Sequence, residues 1–529
     1  MTSTADGNLY ATLRACFPER LDDIAIETAD APAGAAFEPL RYTWDDLERG
    51  SARIANLFAD LGLPLGARVA VHAGKSVEAV MLYLAVLRAG LVHVPLNTAY
   101  QASELAYFIE NAEPALVVCA PRNFAWVSRL AFARGVRHVF TLGDDRSGSL
   151  LERAARMDDA FETRPRADGD LAAILYTSGT TGRSKGAQLS HGNLRANAET
   201  LHDAWQWREG APDGARAGRD VLIHALPIFH VHGLFVALHG ALRAGARMLW
   251  FHRFDPLATI ARLPDASVFM GVPTLYVRML AQAALTREAC RGMRLFVSGS
   301  APLLADTHAA WLERTGHTLL ERYGMSETIM LTSNPYRPES ARRAGTVGRA
   351  LPGVQLRVHD DAGRPCPPGD IGNVEVRGAS IFSGYWRMPE KTREEFTPDG
   401  WFRTGDVGHL DAAGVLTLVG RSKDLIISGG FNVYPAEVEG RINDLEGVAE
   451  SAVVGVPHAD FGEAVVALVV ARPGARLDPA AITATLKATI AAFKVPKHVR
   501  IVEALPRNAM GKVQKKLLRE ELADLFVPA

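Results

Sequence analysis

Cysteine is scarce in this chain: Cys16, Cys119, Cys290 and Cys366 are the four in 529 residues, and no two stand in Cys-x-x-Cys spacing. That argues against a disulfide framework or a structural zinc site, and it predicts a reduced, cytoplasmic setting. Long apolar runs are missing too, so no segment is expected to reach membrane-spanning length. The start of the chain has neither a basic stretch leading into an apolar core nor an Arg-rich, acid-poor presequence, so no targeting segment is expected. Charge of one sign is not in excess. The formal net charge is -1 with no long basic run, which argues against nucleic acid or a membrane surface as partner.

What is present has the composition of an ordinary globular protein, 48% hydrophobic and 22% charged. Its length exceeds what one hydrophobic core supports, so two or more domains are expected. Residues 42–66 pattern as an amphipathic helix with Thr43 as N-cap and Leu47, Ile54 and Leu57 facing inward. Arg68-Val-Ala-Val-His, a helix over 76–89 and Val92-His-Val-Pro-Leu then make a strand–helix–strand unit, repeated by 104–112 and Leu116-Val-Val-Cys-Ala. A parallel sheet is the expected outcome. Residues 221–233 read as a strand running into a helix, with His230 and His232 at the strand's C-terminal end, where open α/β sheets bind ligands, and 248–251, 267–270 and 294–297 as further short apolar strands. From 354 to 378 the alternation is broken by turn-forming residues, which is hairpin grammar for a small β subdomain. Past Gly420 the texture is separately α+β, with a helix at 436–442, strands at 449–456 and 464–471, a long helix at 478–493 and a strand at 499–502. The expected fold is α/β. Residues 1–420 would form a large N-terminal domain of parallel αβ-layered sheets plus the small β subdomain, and 421–529 a small, mobile α+β C-terminal domain.

The stretch from 176 to 186, Tyr-Thr-Ser-Gly-Thr-Thr-Gly-Arg-Ser-Lys-Gly, follows an apolar strand and precedes a helix over 193–200, so it reads as a strand-to-helix loop. Its glycines let backbone N–H groups turn inward, its hydroxyls add donors and Lys185 adds charge, which suits a polyphosphate. A Walker loop needs Gly-Lys-Ser/Thr, whereas here Lys185 precedes Gly186, so that reading falls. The remaining alternative is a solvated Ser/Thr/Gly linker.

This loop resembles the phosphate-binding signature of the adenylate-forming superfamily, which includes acyl-CoA synthetases, firefly-type luciferases and the adenylation domains of peptide synthetases. Four further stretches match in the family's order: Tyr-Gly-Met-Ser-Glu-Thr at 323–328, Trp-Phe-Arg-Thr-Gly-Asp at 401–406, Gly-Arg-Ser-Lys-Asp at 420–424 and Pro-Arg-Asn-Ala-Met-Gly-Lys at 506–512. The resemblance covers nearly the whole chain and implies ATP-dependent activation of a carboxylic acid as acyl-AMP, followed by transfer to a thiol. No cysteine here sits in a reactive motif and no carrier segment follows, so coenzyme A is the expected acceptor. A luciferase-like monooxygenase and a non-catalytic nucleotide-binding homologue are the readings from other classes.

The resemblance also implies roles. Thr177, Ser178, Gly179, Thr180, Thr181, Gly182 and Lys185 would hold the β- and γ-phosphates. Ser300, Ala301 and Pro302 would lie against the adenine, with Tyr323 stacked on it and Glu321, Arg322, Gly324 and Met325 beside it. Glu327 would position Mg2+, Thr328 would donate to the α-phosphate, and Asp406 and Arg421 would hold the ribose. Lys512 would bridge the incoming carboxylate and the α-phosphate. Lys423 would be the hinge, and Ser428, Gly429, Gly430 and Phe431 would line the path of CoA. Tyr323 as plain core and Lys423 or Lys512 as surface lysines are the unremarked alternatives.

Within the superfamily the chain most resembles malonyl-CoA synthetases, through Pro-Ile-Phe-His-Val-His-Gly-Leu at 227–234, Gly-Val-Pro-Thr-Leu-Tyr-Val-Arg at 271–278 and Ser-Gly-Gly-Phe-Asn-Val-Tyr-Pro at 428–435. Malonate is thus the expected acid, with methylmalonate admissible and an uncharged short or medium-chain acid as the alternative. A dicarboxylate needs a cation for its distal carboxylate, since a buried unpaired charge is costly. Arg278 is the first candidate, and it could equally be the exposed face of its helix. His230, His232 and Ser298 are secondary, His230 also as a catalytic residue, and Val231 and Met325 would set pocket depth. A place in fatty acid metabolism and a monomer or weak homodimer complete the expectation.

Overall fold

Thr43 accepts a hydrogen bond from the backbone N–H of Asp46, and the Asp46 carboxylate accepts one in return from the Thr43 N–H. This reciprocal cap starts the helix Trp44–Asp60, which buries Leu47, Ile54 and Leu57 as its spacing requires. The computed structural model describes residues 7–30, 38–177, 184–208, 218–428, 431–458, 461–508 and 511–526. It divides into two compact units, residues 1–354 with 377–394 and residues 355–376 with 395–529. That is a division by packing; the division by movement, 1–420 against 421–529, is a separate matter and a proposal.

Among the described residues the first unit holds two large sheets. One has six strands in the order His138–Thr141, Leu116–Cys119, Arg68–His72, Val92–Pro95, Leu171–Thr177 and Lys185–Ser190; all neighbours are parallel except the last pair. The other has nine strands, and its parallel centre runs Leu320–Tyr323, Leu295–Ser298, Val268–Gly271, Val221–His224, Arg247–Trp250 and Ile24–Thr28. Parallel strands covered on both faces read as unbroken apolar runs, which is why these segments stand out in the sequence.

Three expectations are corrected. The phosphate-loop stretch is not a strand-to-helix loop, because Lys185–Ser190 pairs antiparallel with Leu171–Thr177 before the helix His191–Ala204 begins. The run Lys-Gly-Ala-Gln-Leu-Ser is too short and mixed to announce a strand, and its pairing partner supplies what it lacks. His230 and His232 do not sit at the end of their strand, which closes at His224; His232 opens a π-helical segment, His232–Leu238. The helix expected over 478–493 ends at Thr489, since Ile490 turns extended.

The second unit carries a four-stranded sheet, Val354–His359, Gly372–Gly378, Phe402–Leu410 and Leu416–Arg421, and a five-stranded sheet built around the long antiparallel pair Val448–His458 and Gly462–Ala471. The second sheet buries both faces, with Val438, Ile442 and Leu486 on one side and Leu505, Leu518 and Leu522 on the other.

In the first unit the starts of two sheet strands are tied by a buried ion pair. Arg294 Nε donates to Asp220 Oδ1 at 2.7 Å, and Asp220 also accepts from the Arg208 N–H and the Ser267 hydroxyl, each at 2.7 Å. Removing one partner of such a pair strands the other charge. Asp220→Ala is expected to lower the unfolding free energy by roughly 3–5 kcal/mol, read from urea denaturation of purified protein.

Candidate active site

Open parallel sheets bind ligands beyond the carboxyl ends of their strands. Four such ends in the nine-stranded sheet are followed by the singled-out groups: His230 and His232 after Val221–His224, Arg278 after Val268–Gly271, the 298–302 loop after Leu295–Ser298, and residues 324–328 after Leu320–Tyr323. Backbone geometry at these ends is tight. Ser300 holds a left-handed φ of 72° and Ile329 one of 59°, conformations that persist only where the surroundings fix them. A Cβ at Gly324 would lie 1.9 Å from the Ile329 carbonyl oxygen, and one at Gly299 would lie 2.5 Å from Arg322 Cζ. Position 324 therefore requires glycine, whereas a side chain at 299 would have to displace the Arg322 guanidinium.

Arg322, which the resemblance places beside the adenine, has a further property in the structure. Its side chain is buried at 3% exposure against Gly299, and its Nε and Nη2 meet no hydrogen-bond partner among the described residues. Burial pulls its pKa down to about 9, which still leaves it charged at neutral pH. Close by are two more buried polar atoms in the same condition, His232 Nε2 and Ser298 Oγ, while His232 Nδ1 lies 3.4 Å from Ser300 Oγ. Burial, and then the Arg322 charge, hold the His232 imidazole well below its usual range, and burial takes His230 to about 4. Both histidines are thus neutral at pH 7 and can donate a hydrogen bond without supplying a positive charge. Arg278 lies on the exposed side of the helix Pro273–Leu280, which buries Leu275, Tyr276 and Met279. Val231 is buried, whereas Met325, Gly324, Ser300 and Ala301 are partly exposed and Pro302 exposed.

Glu327 is 5% exposed, and its Oε1 accepts a hydrogen bond from the Tyr385 hydroxyl at 2.9 Å. Thr328 Oγ1 accepts from the Met325 N–H at 3.3 Å, and Tyr323 closes its strand at 8% exposure. Lys185 places its ammonium 4.3 Å from the centre of the Tyr385 ring. Thr177 and Lys185 face each other across the antiparallel pair; Ser178, Gly179, Thr180, Thr181 and Gly182 lie outside the described residues. Among the described residues no cluster of three or more His, Cys, Asp or Glu side chains could hold a metal by itself. A single buried carboxylate fits Mg2+, which takes one or two carboxylates and otherwise keeps water and substrate phosphate oxygens.

In the second unit Asp406 and Arg421 are partners on adjacent antiparallel strands, with Arg421 Nε 2.7 Å from Asp406 Oδ1. Asp406 is further fixed by its N–H, which donates to Thr404 Oγ1 at 3.0 Å. Lys512 sits after a tight turn in which its N–H donates to Asn508 Oδ1 at 3.0 Å. Its side chain is exposed in area, yet a crowded neighbourhood, and then Arg421, lower its pKa, with Asp406 and Asp424 opposing. Lys423, in the turn Ser422–Asp424, is lowered by the same kind of crowding and by Arg421, to about 8. Ser428 is buried and Phe431 opens the strand Phe431–Val433, whereas Gly429 and Gly430 lie outside the described residues.

The profile described as "AMP-binding enzyme" matches residues 21–386, and that described as "AMP-binding enzyme C-terminal domain" matches 437–512. The chain belongs to the AMP-binding enzyme family. It is 33% identical to a malonate–CoA ligase of Arabidopsis thaliana over 99% of this chain and 90% of that protein. Among solved structures it resembles ATP-bound MatB from Rhodopseudomonas palustris, at 50% identity and a TM-score of 0.92 over 98% of this chain and all of that one. It also resembles a benzoate CoA ligase from Burkholderia xenovorans, at 26% identity and a TM-score of 0.85, covering 97% of this chain and 99% of that chain. The chain is therefore an ATP-dependent, AMP-forming acid–CoA ligase of α/β fold, and the monooxygenase reading is not favoured. No helix among the described residues is long and apolar enough to cross a membrane.

Glu321, on the same strand as Arg322, points the other way, and its Oε1 accepts from the Gly345 N–H at 3.1 Å. Burial raises its pKa to about 8 from 4.5. A carboxyl raised on folding stabilises fully below pH 4.5, and that contribution is lost as pH climbs through about 8. Between those limits stability is expected to fall by about 1.4 kcal/mol per pH unit from this group alone, and Glu321→Gln should remove that slope. Urea midpoints of both proteins from pH 5 to 9 check this.

Proposed function

We propose that the chain activates malonate, and by the same contacts methylmalonate, as the acyl-AMP and passes the acyl group to CoA. The observation that carries the choice of acid is Arg322. A buried guanidinium with two donor nitrogens unpartnered among the described residues is a standing cost in a folded protein, and a substrate carboxylate relieves it bidentately. Ser298 Oγ and His232 Nε2, also without partners among the described residues, can add neutral hydrogen bonds. The malonate–CoA ligase of Arabidopsis supports the same acid. Arg278 keeps a place as an exposed second cation, and an uncharged acid would leave Arg322 as it is.

The near carboxylate of the acid attacks the α-phosphorus, and the bond to pyrophosphate breaks. Two anions meet in this step, so its barrier falls with positive charge fixed in place beforehand. Lys185 serves the β- and γ-phosphates, Thr328 donates to the α-phosphate, and Lys512 bears on the α-phosphate and the incoming oxygen. Glu327 would hold Mg2+, which supplies neutralisation of phosphate charge when bound. Asp406 and Arg421 take the ribose, and Tyr323 with the 300–302 loop takes the adenine. In the second step the CoA thiolate attacks the acyl carbon and AMP leaves, with Ser428 to Phe431 along the path of CoA. Residues 421–529 turn about Lys423 between the steps, in a cytoplasmic enzyme.

Arg322→Met is expected to lower malonate kcat/KM roughly 30-fold or more while butyrate kcat/KM holds or rises. Because the change removes a buried charge whose Nε and Nη2 meet no hydrogen-bond partner among the described residues, the melting temperature should hold or rise. Loss of malonate activity in Arg278→Ala but not in Arg322→Met would move the role to Arg278. Lys512→Ala should slow acyl-AMP formation by several orders of magnitude and spare transfer from pre-made malonyl-AMP to CoA, measured as separate single-turnover reactions.

A further inference from the structure

Tyr385 carries no motif, yet it touches both groups that the adenylation step asks to meet the phosphates. Its hydroxyl donates to Glu327 Oε1 at 2.9 Å, and the Lys185 ammonium stands 4.3 Å over its ring. The ring is 3% exposed and is edged by Phe382, 4.9 Å between centroids at 69°. Every backbone around it is pinned. The Tyr385 N–H donates to Thr392 Oγ1 at 2.9 Å, and the Phe382 N–H donates to the Glu327 carbonyl at 2.8 Å. The Trp386 N–H donates to the Gly186 carbonyl at 2.8 Å, and the Gln188 N–H to the Gly384 carbonyl at 3.0 Å. The strand that begins at Lys185 and the residue before Thr328 are therefore held by one short segment, residues 382–386.

We propose that Tyr385 is a positioning residue for adenylation, fixing the rotation of the Glu327 carboxylate and seating the Lys185 ammonium so that the two meet a metal-bound triphosphate as one preset assembly; this rests on the metal role proposed for Glu327. The two contacts use different parts of the side chain. The hydroxyl serves the carboxylate, and the ring face serves the lysine. Phenylalanine removes the first and keeps the second; leucine removes both. The hydroxyl fixes one oxygen of the Glu327 carboxylate, so its loss should fall on metal-dependent binding rather than on binding in general.

Calorimetric titration of ATP into the full-length protein, with EDTA and over a series of Mg2+ concentrations, tests this. Tyr385→Phe is expected to bind metal-free ATP as wild type does and to need about ten-fold or more Mg2+ to reach half of the metal-dependent gain, in line with the effect of losing a metal's supporting hydrogen bond. Transfer from pre-made acyl-AMP to CoA should be unchanged. Tyr385→Leu should in addition bind metal-free ATP about three-fold or more weakly, as the cation–π seat is lost. A Tyr385→Phe protein with wild-type Mg2+ dependence overturns the proposal, as does one that loses metal-free binding, metal-dependent binding and acyl transfer in equal measure. Glu327→Gln separates the two ideas: if it shifts the Mg2+ dependence and Tyr385→Phe does not, Tyr385 alone is misassigned, and if it shifts nothing, the metal role of Glu327 fails.

Discussion

The pairing of Lys185–Ser190 is the interaction on which the arrangement of the first unit turns. On one side this strand closes the six-stranded sheet against Leu171–Thr177. On the other it exchanges backbone hydrogen bonds with residues 383–386. A strand of Lys-Gly-Ala-Gln-Leu-Ser, with three small residues among six, has little propensity of its own. It exists because two neighbours offer it backbone partners, and in return it fixes Lys185 next to Tyr385, whose hydroxyl meets Glu327.

A second constraint is the placement of charge on one short strand. Glu321 and Arg322 are consecutive, so the pleat sends them to opposite faces. Each is buried, and the two respond differently. Glu321 accepts from a backbone N–H and becomes a carboxyl that keeps its proton to about pH 8, which meets part of its burial cost by neutralisation. Arg322 stays charged at neutral pH even at a pKa of about 9. With Gly299 admitting its guanidinium against backbone, it presents a positive charge where the neutral histidines present only hydrogen bonds. Of Arg322, His230 and His232, Arg322 alone therefore offers an anion a positive charge.

Much of the fold was legible because it rests on local signals. The Thr43 cap and the apolar runs of the parallel strands each appear where their spacing puts them. What was misread depended on partners far away in the chain. Lys185–Ser190 needed residues 171–177 and 383–386 to become a strand, His232 began a π-helical segment rather than ending a strand, and the helix after Asp478 stopped at Thr489 with no glycine or proline at the stop.

The sequence by itself determined the adenylate-forming family, because five short motifs stand in that family's order along nearly the whole chain. Only the tertiary structure decided which side chains are left with chemistry to spare. Hydrogen bonding and burial are sums over neighbours from distant segments: two Arg322 nitrogens lack partners among the described residues where Gly299 and its own strand enclose them, and Glu327 and Lys185, far from Tyr385 in sequence, converge on different features of its side chain.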